Sequence, residues 1–153
     1  MIAVDTNILV YAHRGESPFH ERAAARMTEL AESPAPWALP WPCIHEFYSI
    51  VTHPRIFDPP STLEQVSAQI GAWLESPSIV TLSEGDTYWS ALSTLLVSAK
   101  VAGPVVHDAR IAALCTSNGV RELWTSDRDF SRFPQLKVTN PLVEVRQRGG
   151  AAG

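Results

Sequence analysis

Cysteine is scarce in this chain: Cys43 and Cys115 are the only two in 153 residues. They lie far apart in apolar surroundings and match no metal-binding spacing, which excludes a disulfide-stapled scaffold and predicts buried thiols of a reducing compartment. Long apolar runs are missing too. Lys100 interrupts the one long weakly polar stretch, and Met1-Ile2-Ala3-Val4-Asp5 carries neither a basic segment nor an extended apolar one. No membrane span or secretion signal is expected, and the protein is expected to be cytoplasmic. Charged residues make up 18% with a net charge of −4, which argues against an unspecific basic coat for nucleic acid. Acids gathered around a cation would still leave basic residues elsewhere, so an RNA substrate is not excluded. The five histidines (His13, His20, His45, His53, His107) form no zinc pattern, and neither a GxxxxGK[ST] loop nor a GxSxG elbow occurs.

What is present is the composition of one globular domain, 45% hydrophobic and long enough to bury a core without staples. The domain is expected over residues 1–146, and the Gly/Ala-rich tail 147–153 reads as disordered. Strand-like runs recur near 2–4, 37–39, 78–82, 122–125 and 136–139, separated by helical patterns. That alternation predicts an α/β fold with a mainly parallel sheet covered on both faces. Ser61-Thr62-Leu63-Glu64 reads as a capping box, followed by Leu63, Val66, Ile70, Trp73 and Leu74 at helical spacing. A second pattern after Gly85-Asp86 places Trp89, Leu92, Leu96 and Ala99 on one stripe. The Pro-rich stretch Pro34 to Pro42 reads as a turn, a short strand and a helix start with Pro42 in the first turn.

Four acids stand in contexts that suggest a divalent-metal site. Ile2-Ala3-Val4 runs straight into Asp5-Thr6-Asn7, and Leu123-Trp124-Thr125-Ser126 into Asp127, so both acids fall at strand carboxyl ends, where open α/β sheets place their ligands. Asp5-Thr6-Asn7 reads equally well as a helix cap. Glu46 lies nearly opposite the apolar stripe Ile44, Tyr48 and Val51, the position of a solvated glutamate. Asp108 shares a helix face with Ile111, Ala112 and Cys115, and a carboxylate on an apolar stripe demands a partner. A metal or an ion pair would serve, and a first-turn acid also suits the helix dipole. Asp127 and Asp129 flank Arg128 in a polar burst that a turn explains as well as a site does. Clustered carboxylates suit hard ions such as Mg²⁺ or Mn²⁺, with water as the nucleophile. The residue two after Asp5 is Asn7, not an acid, which disfavours a phospho-aspartate mechanism.

In order and spacing these segments resemble the PIN-domain ribonucleases, and among them the VapC toxins of bacterial toxin-antitoxin pairs. The resemblance covers nearly the whole chain and rests on five segments. They are Ile2-Ala3-Val4-Asp5-Thr6-Asn7-Ile8-Leu9, Cys43-Ile44-His45-Glu46-Phe47, Val51-Thr52-His53-Pro54-Arg55-Ile56-Phe57, Asp108-Ala109-Arg110-Ile111-Ala112-Ala113-Leu114 and Thr125-Ser126-Asp127-Arg128-Asp129-Phe130. It implies a three-layer α/β/α sandwich and a homodimer. It also implies Asp5, Glu46, Asp108 and Asp127 as catalytic and metal-holding acids around Mg²⁺ or Mn²⁺. Thr6 and Asn7 would support Asp5, Ser126 would hydrogen-bond within the site, and Asp129 is a possible further ligand. The implied activity is endonucleolytic hydrolysis of single-stranded RNA to 5′-phosphate and 3′-hydroxyl ends. The implied partner is a cognate antitoxin that threads into the groove.

Candidate RNA contacts are Arg14, Arg55, Arg110, Arg128 and Arg132 for phosphates, and Trp37, Trp41 or Phe133 for stacking on a base. The rival reading is a non-catalytic module of the same fold that binds RNA or protein and uses the acids for caps and salt bridges. A flap-type DNA nuclease is disfavoured, because the chain lacks the extra helical segments such enzymes need.

Overall fold

A computed structural model describes residues 1–143. The tail at 147–153 and the end of the expected domain, 144–146, lie outside the described residues. Five strands form one sheet: β1 (Ile2–Val4), β2 (Trp37–Pro40), β3 (Ile79–Leu82), β4 (Glu122–Trp124) and β5 (Lys137–Thr139). Their order is β3-β2-β1-β4-β5 and every neighbouring pair is parallel. All four residues of β2 are buried, as are Ala3, Val4, Leu123 and Trp124. Strands buried on both faces read as continuous apolar runs rather than alternating ones, which is why these segments stand out in the sequence.

Among the described residues six helices cover the two faces, giving the α/β/α sandwich: α1 (Thr6–His13), α2 (His20–Glu32), α3 (Trp41–Val51), α4 (Leu63–Leu74), α5 (Tyr88–Ser98) and α6 (Val106–Ser117). Helix α1 packs on α2 and α3, α3 on α4, and α5 on α6, which also lies against β2. Pro42 sits in the first turn of α3, where its missing N–H leaves no bond unmade. Helix α6 stops at Gly119, whose positive φ of 72° lets the chain turn back so that the Val120 N–H reaches the Cys115 carbonyl at 2.9 Å.

Local expectations and structure differ at two places, and one helix carried no local signal. The box on α4 is shifted by one residue from the expected Ser61/Glu64: Thr62 caps the Gln65 N–H, and Gln65 returns to the Thr62 N–H. Ser61 is buried and already bonded to His13 and Arg14, so it is not free to cap. On α5, Leu92, Leu96 and Ala99 of the expected stripe face the core together with Tyr88, Ala91 and Leu95, while Trp89 is 66% exposed. The helix begins at Tyr88, and spacings of four, three and four from there define the stripe that packs on α6. Helix α2 has no side-chain cap to announce it, and its inner face is marked by Ala23, Met27, Leu30 and Ala31.

Candidate active site

From β1 the chain moves outward to β2 and β3, then crosses back to β4 on the other side of β1. The crevice outside the carboxyl ends of β1 and β4 is therefore a topological switch point. Asp5 follows β1 directly and caps α1. Its backbone N–H bonds the Trp124 carbonyl at 2.9 Å, and its Oδ1 accepts the Thr6 N–H at 2.9 Å. The capping and site readings of this residue are thus one arrangement. The carboxylate is 7% exposed. It also accepts the Cys43 thiol (3.6 Å) on Oδ1, and the Thr125 hydroxyl (2.8 Å) and Asn7 amide (3.4 Å) on Oδ2. Burial pushes its pKa up to about 6, opposed by the bonds from Thr125, Thr6 and Cys43.

Thr125 ties the strand ends together. Its one proton goes to Asp5, while its oxygen accepts the Asn7 amide at 3.1 Å and the Asp127 N–H at 3.0 Å. The β1–β4 register, with Val4 opposite Trp124, makes Asp5 and Thr125 neighbours one step beyond the paired strands. Sequence reasoning passed over Thr125 as the end of an apolar run. The available signal was a hydroxyl directly after one central strand matching an acid directly after the other. Cys43, expected to be a buried thiol, is one, and it also donates to Asp5. Beside the Asn7 amide, which donates to Asp5, the backbone N–H of Ser126 bonds Asn7 Oδ1 at 3.2 Å.

The other acids arrive from three elements. Glu46 is exposed on α3, and its Oε2 accepts the Thr6 hydroxyl at 3.1 Å. Asp108 stands half-buried in the first turn of α6. Its pKa is raised, first by burial and then by the charges of Asp127 and Asp129, with Arg132 acting the other way. Asp127 caps the 3₁₀ turn Arg128–Arg132 and accepts the Asp129 N–H at 2.9 Å. Asp5, Glu46, Asp108 and Asp127 all line one cleft of about 610 Å³, with Thr6, Asn7, His45, His107 and Arg110. Asp108, Asp127 and Asp129 each offer a carboxylate oxygen within 4.8 Å of the others, so Asp129 stands inside the cluster. Three carboxylates this close repel one another while charged. An all-oxygen donor set of this kind fits a hard divalent cation, which would relieve that repulsion.

Two candidate base platforms are corrected. Trp37 is 0% and Phe133 1% exposed, both packed into the core, so neither can stack on RNA. Arg14 lies over Phe57, is paired with Glu16 and donates to Ser61 and the Pro59 carbonyl, which makes it a brace of the loop after α3.

Fold and site together define a class: α/β proteins with an acidic, oxygen-lined cleft at the switch point of a parallel sheet. Residues 2–136 match the PIN domain family model, and the chain belongs to that family. It is similar to ribonuclease VapC43 of Mycobacterium tuberculosis, 32% identical over 142 residues that cover 93% of this chain and 96% of that protein. It is also similar to ribonuclease VapC33 of the same organism, 31% identical over 144 residues, covering 94% and 100%. The fold resembles that of VapBC2 from Rickettsia felis, solved bound to a promoter DNA fragment, with a TM-score of 0.65 at 20% identity over 92% of this chain and 98% of that one. Among the described residues no helix is long and apolar enough to cross a membrane.

Proposed function

We propose that this protein is an endoribonuclease, the toxin of a toxin-antitoxin pair, hydrolysing RNA phosphodiester bonds at the acidic cleft with Mg²⁺ or Mn²⁺ bound. The observation that carries the reading is the set of three carboxylates within 4.8 Å of one another, in a cleft shared with Asp5 and Glu46. The likeness to proteins named ribonucleases supports the RNA substrate. The divalent ion would supply a Lewis acid that makes water nucleophilic at neutral pH and offsets charge on the scissile phosphate.

The chain's own residues perform the remaining tasks. Asp108, Asp127 and Asp129 would hold the cation, and Asp5 presents a carboxylate immobilised by four donors. Thr6 anchors Asp5 by its backbone and Glu46 by its hydroxyl, so a single residue coordinates two acids from different elements. Thr125 and Asn7 keep the β1 and β4 ends in fixed relation. Preorganisation of this kind would hold the site ready for in-line attack by water without reorganisation cost. Water adds to phosphorus, the bond to the 3′ oxygen breaks, and that oxygen takes up a proton, leaving a 5′ phosphate and a 3′ hydroxyl.

A cognate antitoxin would cover the cleft and bring a basic group to the acids, and two copies of the chain would form a homodimer. The likeness to a VapBC assembly supports the antitoxin. The test is incubation of total cellular RNA with purified, antitoxin-free protein and Mg²⁺ or Mn²⁺, beside Asp5→Asn and Asp108→Asn. Discrete cuts with 5′-phosphate ends are expected, reduced roughly 100-fold or more in each variant while circular dichroism stays unchanged. Absence of cuts with either metal, together with no metal-dependent change in Tm, overturns the reading in favour of a non-catalytic module.

A further inference from the structure

An acidic cleft repels a polyanion, so a substrate strand needs a cation on the wall to approach it. Among the described residues lining this cleft, Arg110 is the only arginine or lysine. It stands on α6 two residues after Asp108, and its side chain is 42% exposed. One terminal nitrogen, Nη2, meets Glu84 Oε1 at 3.2 Å; Glu84 lies in the loop between β3 and α5 and is 47% exposed. Several other arginines are committed. Arg14 braces the loop after α3, Arg22 donates to the Pro141 and Val143 carbonyls, and Arg26 pairs with Glu29 across the Trp124 ring.

An exposed ion pair of this kind adds little to stability and is readily exchanged. A phosphate offers the guanidinium two charge-assisted bonds in a matching fork, a stronger contact than one bond to a solvated carboxylate. We infer that Arg110 is the residue of this cleft that binds a backbone phosphate of the RNA beside the scissile bond, and that Glu84 is its internal competitor, holding the guanidinium at the wall and lowering affinity until RNA displaces it. The inference rests on the endoribonuclease reading and adds to it a named substrate contact and a restraint on binding.

The test uses the Asp5→Asn chain, so that RNA survives, with Mg²⁺ present. A fluorescein-labelled single-stranded RNA of mixed sequence is titrated by anisotropy across a KCl series. Adding Arg110→Ala is expected to weaken binding about 5- to 30-fold at low salt and to reduce the slope of log affinity against log salt by about 0.7, the loss of one phosphate contact. Arg110→Lys is expected to keep the slope while losing part of the affinity. Glu84→Gln is expected to tighten binding, because it removes the competitor and leaves the cation. A structural ion pair predicts the opposite pattern: an unchanged salt slope in Arg110→Ala, or equal weakening by Arg110→Ala and Glu84→Gln, overturns the inference. The parent chain is tested separately on total cellular RNA, where absence of cleavage overturns the endoribonuclease reading and this inference with it.

Discussion

Two clefts of similar volume, about 610 Å³ over the strand ends and about 580 Å³ between the end of α1 and α4, are both lined by polar side chains. In the second, the polar groups satisfy one another. Arg14 Nη1 donates to Ser61 Oγ at 3.1 Å, the Ser61 hydroxyl faces His13 Nε2 at 2.9 Å, and His13 Nδ1 meets Gln69 Oε1 at 3.2 Å. These bonds form one directed chain when His13 is neutral, and burial accordingly lowers its pKa. In the first cleft, carboxylates face carboxylates, and their mutual repulsion adds to the cost of burial. A closed network stabilises the fold and leaves nothing to bind with, whereas concentrated charge of one sign costs stability and creates affinity for an ion of the other sign.

The first effect expected from this contrast is on thermal stability. Mn²⁺ or Mg²⁺ at about 100 times its Kd should add about 2.7 kcal/mol and raise Tm by about 5–10 °C, as read by differential scanning fluorimetry. The shift should disappear in Asp108→Asn and survive in Ser61→Ala; a shift that persists in Asp108→Asn would place the ion elsewhere.

The pH dependence of the metal-free protein comes next. Asp5 holds its proton up to about pH 6 in the folded chain, against an ordinary value of 3.8. Between those values the folded state carries the extra proton. Stability is therefore greatest below the unfolded pKa and is lost as pH rises towards 6, by roughly 3 kcal/mol. Urea midpoints measured across that window should fall, and Asp5→Asn should flatten the profile. A wild-type midpoint that rises with pH by the same amount would refute the assignment.

The closed network gives the third test. Ser61→Ala strips His13 Nε2 of its partner in a half-buried setting and should lower stability by about 1–3 kcal/mol. RNA cleavage at a temperature where the variant remains folded should be unchanged; a matching loss of kcat would join the two clefts functionally. The smallest effect is Asp108→Asn without metal, which relieves repulsion from Asp127 and Asp129 and should raise Tm by about 1–3 °C. The same substitution thus stabilises the apo chain and abolishes its response to metal.

Legibility in the sequence followed locality. Asp5 and Asp127 were visible because each follows an apolar run, and Asp108 because it interrupts an apolar helix face. Glu46 was not visible from periodicity, since a carboxylate exposed on α3 looks the same whether it faces bulk water or a cleft; only the family resemblance raised it. Asp129 could not be ranked, because whether it turns towards Asp108 depends on the 3₁₀ turn capped by Asp127. Trp37 and Phe133 looked available to RNA because aromatic residues suit bases and cores alike, and burial decides between them. The misplacement of Trp89 on α5 has a similar origin: Tyr88 and Trp89 are both large and apolar, and packing against α6 chooses Tyr88.

The sequence by itself determined the alternation of strands and helices, the parallel sheet and the residues with ligand chemistry, because periodicity, caps and side-chain type act over a few residues. Strand order and register were decided only in the tertiary structure. They bring the Asp5 carboxylate to the hydroxyl of Thr125, 120 positions away, and raise the Asp5 pKa by burial. They also gather Asp108, Asp127 and Asp129 from α6 and the turn after β4. The physical reason is that charge repulsion and desolvation depend on distance in space, and distance along the chain says little about it until the sheet has set the neighbours.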